Sequence, residues 1–225
     1  MKRPFVFVNL AMSADGKLST RERRQVRISG RTDFLRVDVI KAESDAIIVG
    51  IGTVLADDPS LTVKSPELKS KRVKSGKGEN PVRVVVDSMA RLPVDADILH
   101  KGSGMRIVAV SREAPAEKLA QLRSFAKIIV AGENKVDLPE LFEQLCKMGI
   151  GSVMVEGGGQ LIWSLFEKGL VDELYTYIGN IVIGGQDAPT PADGNGFISE
   201  KDFPGLELIG MDKIDEGVLL RWKVV

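Results

Sequence analysis

The chain has 225 residues, 44% of them hydrophobic, with 31 basic and 31 acidic side chains. That length supports one large α/β core, and a net charge of zero gives no global pull toward nucleic acid or anionic lipid. A single histidine, His100, and a single cysteine, Cys146, exclude a multi-histidine or cysteine-cluster metal site and an internal disulfide.

Residues 5–10 read as a strand. No apolar run reaches 18 residues, and the stretch after Met1-Lys2-Arg3-Pro4 is too short for a signal-peptide core, so the expected compartment is the cytoplasm. The strand runs into a polar turn that Asp15-Gly16 suits. A helix is predicted over 32–43, with Phe34, Val37 and Ile40 on one side and Leu35 and Val39 beside them. Residues 46–50 form a continuous apolar run typical of a buried strand, and 52–56 a short helical turn stopped by Asp57-Asp58-Pro59. Residues 64–80 hold six Lys/Arg against two acids, with Ser, Gly and Pro but no aromatics. This composition predicts a mobile, solvated loop and not a nucleic-acid surface.

Residues 82–86, 107–110, 128–130 and 153–155 repeat the buried-strand pattern. Helices are predicted between several of them, at 115–125 and 137–148. In the second, Asp137 and Glu140 have capping-box spacing and Gly149 supplies the stop. Cys146 shares an apolar face there with Leu141, Phe142 and Leu145, which reads as an inert core thiol. Buried runs alternating with helices imply a largely parallel sheet covered on both faces. The last quarter changes character. Residues 173–183 look strand-like and lead to Gly184-Gly185 and a loop rich in Pro, Gly and Asp. Residues 206–211 and 218–225 flank Asp215-Glu216-Gly217 as a closing antiparallel hairpin. The expected fold is therefore α/β over one domain, 1–225, with a mixed, mostly parallel sheet and an antiparallel end.

The chemistry concentrates at Ser152-Val153-Met154-Val155-Glu156-Gly157-Gly158-Gly159-Gln160-Leu161. A strand, three glycines and a helix start make a cradle for phosphate, because the backbone can approach closely and the helix N-terminus attracts anions. The spacing is neither the dinucleotide fingerprint nor a Walker loop. In Gly50-Ile51-Gly52-Thr53-Val54-Leu55-Ala56-Asp57, Thr53 and Asp57 are four apart and share a helical face. They suit either ribose or amide binding or simple capping. The turn after the first strand is by itself compatible with an ordinary hairpin.

Taken together, Asn9 to Leu18, the Gly50 to Thr62 block, Val84-Val85-Val86-Asp87-Ser88, the Glu156-Gly-Gly-Gly loop and Ile183-Gly-Gly-Gln-Asp-Ala-Pro-Thr190 resemble the riboflavin-pathway pyrimidine reductases, of dihydrofolate reductase-like fold. The resemblance covers nearly the whole chain apart from 64–80. It implies NADPH as cofactor and hydride delivery to C1′ of a ribosylaminopyrimidine 5′-phosphate, giving the ribityl form. It implies cofactor contacts at Ala11, Thr53, Asp57, Ser88, Gly157, Gly158, Gly159 and Gln160. Arg91 and Arg112 are candidates for a 2′-phosphate. Substrate contacts are implied at Lys41, Leu61, Lys64 and Glu156, with Glu156 orienting the substrate and the proton donor unassigned. Related bifunctional enzymes often carry arginine at the two lysine positions; lysine keeps the charge but not the bidentate fork. No zinc deaminase signature accompanies the chain, so the resemblance points to a stand-alone homodimeric reductase acting before deamination, on 2,5-diamino-6-ribosylamino-4(3H)-pyrimidinone 5′-phosphate. The alternatives are the deaminated pyrimidine, a dihydrofolate-type pterin, or a nucleotide-binding module without turnover.

Overall fold

The structure is a computed structural model that describes residues 2–24 and 26–225. Its strands are β1 (Phe5–Met12), β2 (Ala46–Gly50), β3 (Val82–Val86), β4 (Arg106–Val110), β5 (Lys127–Val130), β6 (Ser152–Val155), β7 (Glu173–Ile178), β8 (Leu206–Ile214) and β9 (Gly217–Val224). Its helices are α1 (Arg31–Glu43), α2 (Ile51–Asp57), α3 (Pro66–Lys74), α4 (Asp97–His100), α5 (Ala116–Leu122), α6 (Leu138–Lys147) and α7 (Gly159–Glu167). The chain divides into two compact units, Met1–Phe5 with Val37–Met154 and Val6–Arg36 with Val155–Val225.

In the first unit the strands lie in the order β5-β4-β3-β2-β6. The pairs β2–β3, β3–β4 and β4–β5 are parallel. Ile47, Ile48, Val84, Val85, Ile107, Val108, Val153 and Met154 are buried. Such unbroken apolar runs suit strands covered on both faces, as expected from the sequence. The exception is Arg83, mid-strand in β3 and fully buried. Its guanidinium donates to the carbonyls of Lys101 at 2.6 Å and Ser103 at 2.8 Å, so it organises the turn after α4. Burial, with Arg106 nearby, lowers its pKa to about 10.

In the second unit the order is β1-β7-β9-β8. β1 and β7 are parallel, and β7–β9 and β8–β9 are antiparallel. The C-terminal hairpin forms as expected, its first strand extending to Leu206–Ile214 and its second shifted by one residue to Gly217–Val224. The overall class is the expected one: α/β, mixed and mostly parallel, with an antiparallel end.

Four expectations are corrected. The basic stretch 64–80 contains a helix, α3, because Ser65 caps it by accepting the Leu68 N–H and Pro66 occupies its first turn. Its charged residues are mostly solvated, but Arg72 is buried and hydrogen-bonded to backbone carbonyls. Helix α1 forms almost as predicted, yet Phe34, Leu35 and Val39 are exposed while Asp33 and Asp38 are buried. The carboxylates turn inward because backbone N–H groups and Arg36 take up their oxygens. The strand expected over 173–183 ends at Ile178. Beyond it, Ile181 and Gly184 bond to the Ala14–Asp15 turn and leave the sheet. Cys146 is only half-buried, since Leu138, Leu141, Phe142 and Leu145 fill the inner face of α6.

Replacing Arg83 with Met should cost about 3 kcal/mol, because the carbonyls of the 101–103 turn lose their buried donor. Urea unfolding of the variant against the parent checks this.

Candidate functional site

In the first unit, α2 starts directly from β2 with Gly50 at its N-cap. Thr53 is half-buried and Asp57 lies exposed in the last turn. Partial desolvation nevertheless holds the Asp57 carboxyl above the ordinary carboxylate value. The helix stops at Asp58, whose N–H returns to the Val54 carbonyl. Leu61 is buried, 4% exposed, and has φ +51°. Its side chain belongs to the core, so any substrate contact would fall to its backbone. A non-glycine residue in that left-handed region costs on the order of 1 kcal/mol or more.

Lys64 follows three residues later. Its Nζ donates to Ser60 Oγ at 3.0 Å and Thr62 Oγ1 at 2.9 Å. The residue as a whole is exposed, yet desolvation of the ammonium lowers its pKa; Lys41, Lys69 and Lys101 push the same way, and Asp38 opposes them. Lys41 is half-buried in the last turn of α1. The sequence reading missed Asp38, Ser60 and Thr62, the groups that hold Lys64. Ser60 and Thr62 had a local signal, being hydroxyls four and two residues before it. Asp38 had none, because its partners are 26 and 27 residues away.

Ser88, just past β3, is half-buried. Its hydroxyl oxygen accepts the Val136 N–H at 3.0 Å, and its carbonyl accepts the Ser111 hydroxyl at 2.8 Å. Asp87 before it is fully buried. One oxygen accepts the Leu92 N–H at 2.8 Å; the other has no hydrogen-bond partner and faces Arg91 at 3.6 Å. Burial holds this carboxyl above the ordinary value. Both candidate 2′-phosphate cations already have a carboxylate, Arg91 with Asp87 and Arg112 with Glu133.

In the second unit, the chain from Val155 runs through half-buried Glu156 into Gly157, Gly158 and α7. Gly157 has φ +126°, a conformation that side chains disfavour. Gly158 is the N-cap and, as a glycine, brings no capping side chain of its own to α7. A Cβ on Gly159 would lie 2.5 Å from the Thr190 carbonyl and 2.7 Å from an Asp193 carboxylate oxygen. Two of the three glycines thus answer to the chain's own geometry. Gln160 is exposed. Asp193 ties the neighbouring loop down: its N–H donates to the Gly159 carbonyl, and its carboxylate accepts the N–H and hydroxyl of Thr190. The hydroxyl-x-x-carboxylate spacing of Thr190 and Asp193 was the signal that could have found this.

Ala11, half-buried in β1, pairs in register with Tyr177 and packs on the cluster of Ile28, Tyr177 and Leu219. Past it, Asp15 accepts the Ser13 hydroxyl at 2.6 Å and the N–H groups of Ile183 at 3.0 Å and Gly184 at 2.7 Å. The Ser13 hydroxyl first, then these amides, lower its pKa to about 2. The Leu18 N–H also reaches the Pro189 carbonyl at 2.9 Å. The motif after β1 and the Ile183–Thr190 motif are therefore one hydrogen-bonded piece. Among the described residues no group of three or more His, Cys, Asp or Glu could hold a metal, and no helix is long and apolar enough to cross a membrane.

These features define an α/β protein with a glycine-opened helix after a buried strand and a lysine held among hydroxyls. The chain belongs to the RibD C-terminal domain family, which it matches over residues 4–220, the family expected from its motifs. It is 53% identical over 208 residues to the 2,5-diamino-6-ribosylamino-4(3H)-pyrimidinone 5′-phosphate reductase of Archaeoglobus fulgidus, covering 92% of this chain and 94% of that one. It is 44% identical over 222 residues to the reductase of the same name from Methanothermobacter thermautotrophicus, covering 99% of each. Its fold matches Acinetobacter baumannii RibD with a TM-score of 0.80 at 25% identity, covering 99% of this chain and 58% of that one.

Gly159→Ala should destabilise the protein by about 1–3 kcal/mol, since the methyl group must displace backbone at Thr190. Thermal unfolding of the variant checks this; an unchanged midpoint would mean the 190–193 loop yields freely.

Proposed function

We propose that the chain is an NADPH-dependent reductase of 2,5-diamino-6-ribosylamino-4(3H)-pyrimidinone 5′-phosphate, converting the ribosyl side chain to ribityl in riboflavin biosynthesis. The observation that carries this reading is the 53% identity along nearly the full length of the Archaeoglobus reductase. Bound NADPH would supply the hydride to C1′. The chain's own groups suit such a cofactor: the start of α7 has no side-chain cap, and backbone N–H groups at a helix N-terminus attract a diphosphate.

In this reading Gly157, Gly158, Gly159 and Gln160 hold the diphosphate. Ala11, Thr53 and Asp57 serve the nicotinamide end, and Ser88 the adenosine side. The backbone of Leu61 and the carboxylate of Glu156 orient the substrate. Lys41 and Lys64 hold its phosphate, as point charges. Placement of the reacting carbon and exclusion of water would contribute most of the rate enhancement.

The working form is proposed to be a cytoplasmic homodimer. β8 is an edge strand with Leu206, Leu208, Ile209 and Met211 exposed, and an apolar edge of that kind favours a covering partner.

The test is NADPH oxidation with the diamino substrate, its deaminated counterpart and dihydrofolate, with products identified by mass. The diamino substrate should show the highest kcat/KM; faster turnover of either of the others would overturn the assignment. Glu156→Gln should lower kcat while leaving NADPH affinity near the parent's. A pH profile adds a second check. The Lys64 pKa lies below the usual 10.5, so its ammonium is lost as pH rises through that lowered value. KM for the phosphorylated substrate should climb in a limb beginning below pH 10.5, and Lys64→Ala should remove that limb.

A further inference from the structure

We infer that Asp38 and Arg72 are positioning residues for the substrate's phosphate: they strap the segment 64–74 to α1 at both ends and so fix Lys64 relative to Lys41. The inference rests on the reading that these two lysines hold the phosphate.

Asp38 makes the first strap. It is buried, 8% exposed. One carboxylate oxygen accepts the backbone N–H of Lys64 at 2.7 Å, and the other accepts that of Ser65 at 2.8 Å. Two consecutive amides on one carboxylate fix the orientation of both peptide planes. Charge-assisted hydrogen bonds of this kind are the stronger class. Lys41 lies three residues further along α1, roughly 4.5 Å in axial rise, on a neighbouring part of the same face.

Arg72 makes the second strap. It is 5% exposed. Its Nη1 donates to the carbonyls of Ala42 at 2.5 Å and Ser44 at 2.8 Å, and its Nε donates to Gly78 at 2.9 Å. Ala42 is the residue after Lys41. Helix C-terminal carbonyls need such donors, and a cation there is favoured by the helix dipole. Lys41 is therefore bracketed on α1, by Asp38 one turn before it and by the anchored carbonyl immediately after it.

These straps matter because the phosphate-holding cations are lysines. An arginine fork selects its own geometry on a phosphate, whereas an ammonium is a point charge on a flexible stem. The angle and separation of two such charges depend on where their backbones are held. The Ser60 and Thr62 hydroxyls then aim the Lys64 side chain. Ordering both lysines before binding reduces the entropy lost when the phosphate arrives.

The test compares kcat and KM for the phosphorylated substrate and its dephosphorylated form in the parent, Lys64→Ala, Asp38→Asn, Arg72→Lys and the double variant Lys64→Ala/Asp38→Asn. Thermal midpoint and NADPH affinity are measured for each. Asp38→Asn puts an amide NH2 against one of the two backbone N–H groups. Arg72→Lys keeps the charge but cannot reach three carbonyls at once. The preference for the phosphorylated substrate should fall about tenfold or more in Lys64→Ala and severalfold in Asp38→Asn and Arg72→Lys, mainly through KM. In the Lys64→Ala background, Asp38→Asn should add little to that loss. Equal losses on both substrates in Asp38→Asn and Arg72→Lys, with the phosphate preference still lost in Lys64→Ala, would overturn the positioning role and leave the phosphate reading standing. An unchanged preference in Lys64→Ala would overturn both. Should Asp38→Asn fail to fold, Arg72→Lys decides by the same ratio.

Discussion

A buried carboxylate must find donors, and at Asp38 that requirement organises the segment of the first unit that carries Lys64. Its two oxygens are taken by the amides of Lys64 and Ser65, which sets where the chain turns into α3. The same need decides how α1 sits. Exposing Phe34, Leu35 and Val39 gives up some apolar burial, at about 25 cal/mol per Å². An unpaired buried carboxylate would cost several kcal/mol. The helix therefore turns Asp33 and Asp38 inward and leaves apolar residues in water. Asp33 is met by Arg36, which also reaches Asn9 in β1.

The glycine loop at Gly157–Gly159 has a double role. Gly157 is demanded by its left-handed backbone and Gly159 by the close approach of Thr190 and Asp193. Both serve to bring α7 out of β6 and to seat the 190–193 loop against it. The N-cap, Gly158, contributes no capping side chain to the start of α7. Local structure thus accounts for two of the three glycines, so three adjacent glycines alone overstate the case for phosphate.

How much the sequence disclosed follows from the range of each interaction. Buried parallel strands were legible because burial on both faces leaves continuous apolar runs such as Ile47-Ile48-Val49. The helix at α6 was legible because Asp137 and its stop at Gly149 are local signals. Helix α3 was not, since its six surrounding cations match the composition of a loop and its stabilising contact, Arg72 to the end of α1, is 28 to 30 residues away. The face of α1 was misjudged for the same reason: a periodicity count scores Asp38 as polar and cannot see the distant amides it serves. Among the candidate site residues, Lys64 and the glycines were marked by motif and Asp193 had a local signal in its spacing from Thr190, while Asp38 and Arg72 emerge only from tertiary contacts.

The start of α7 is proposed to receive the diphosphate of a nicotinamide cofactor. A crystal structure of the protein grown with NADPH tests it most directly. Diphosphate oxygens should lie about 2.7–3.2 Å from the backbone N–H groups of Gly159, Gln160 and Leu161. NADPH bound elsewhere, with those N–H groups facing only solvent, would contradict it.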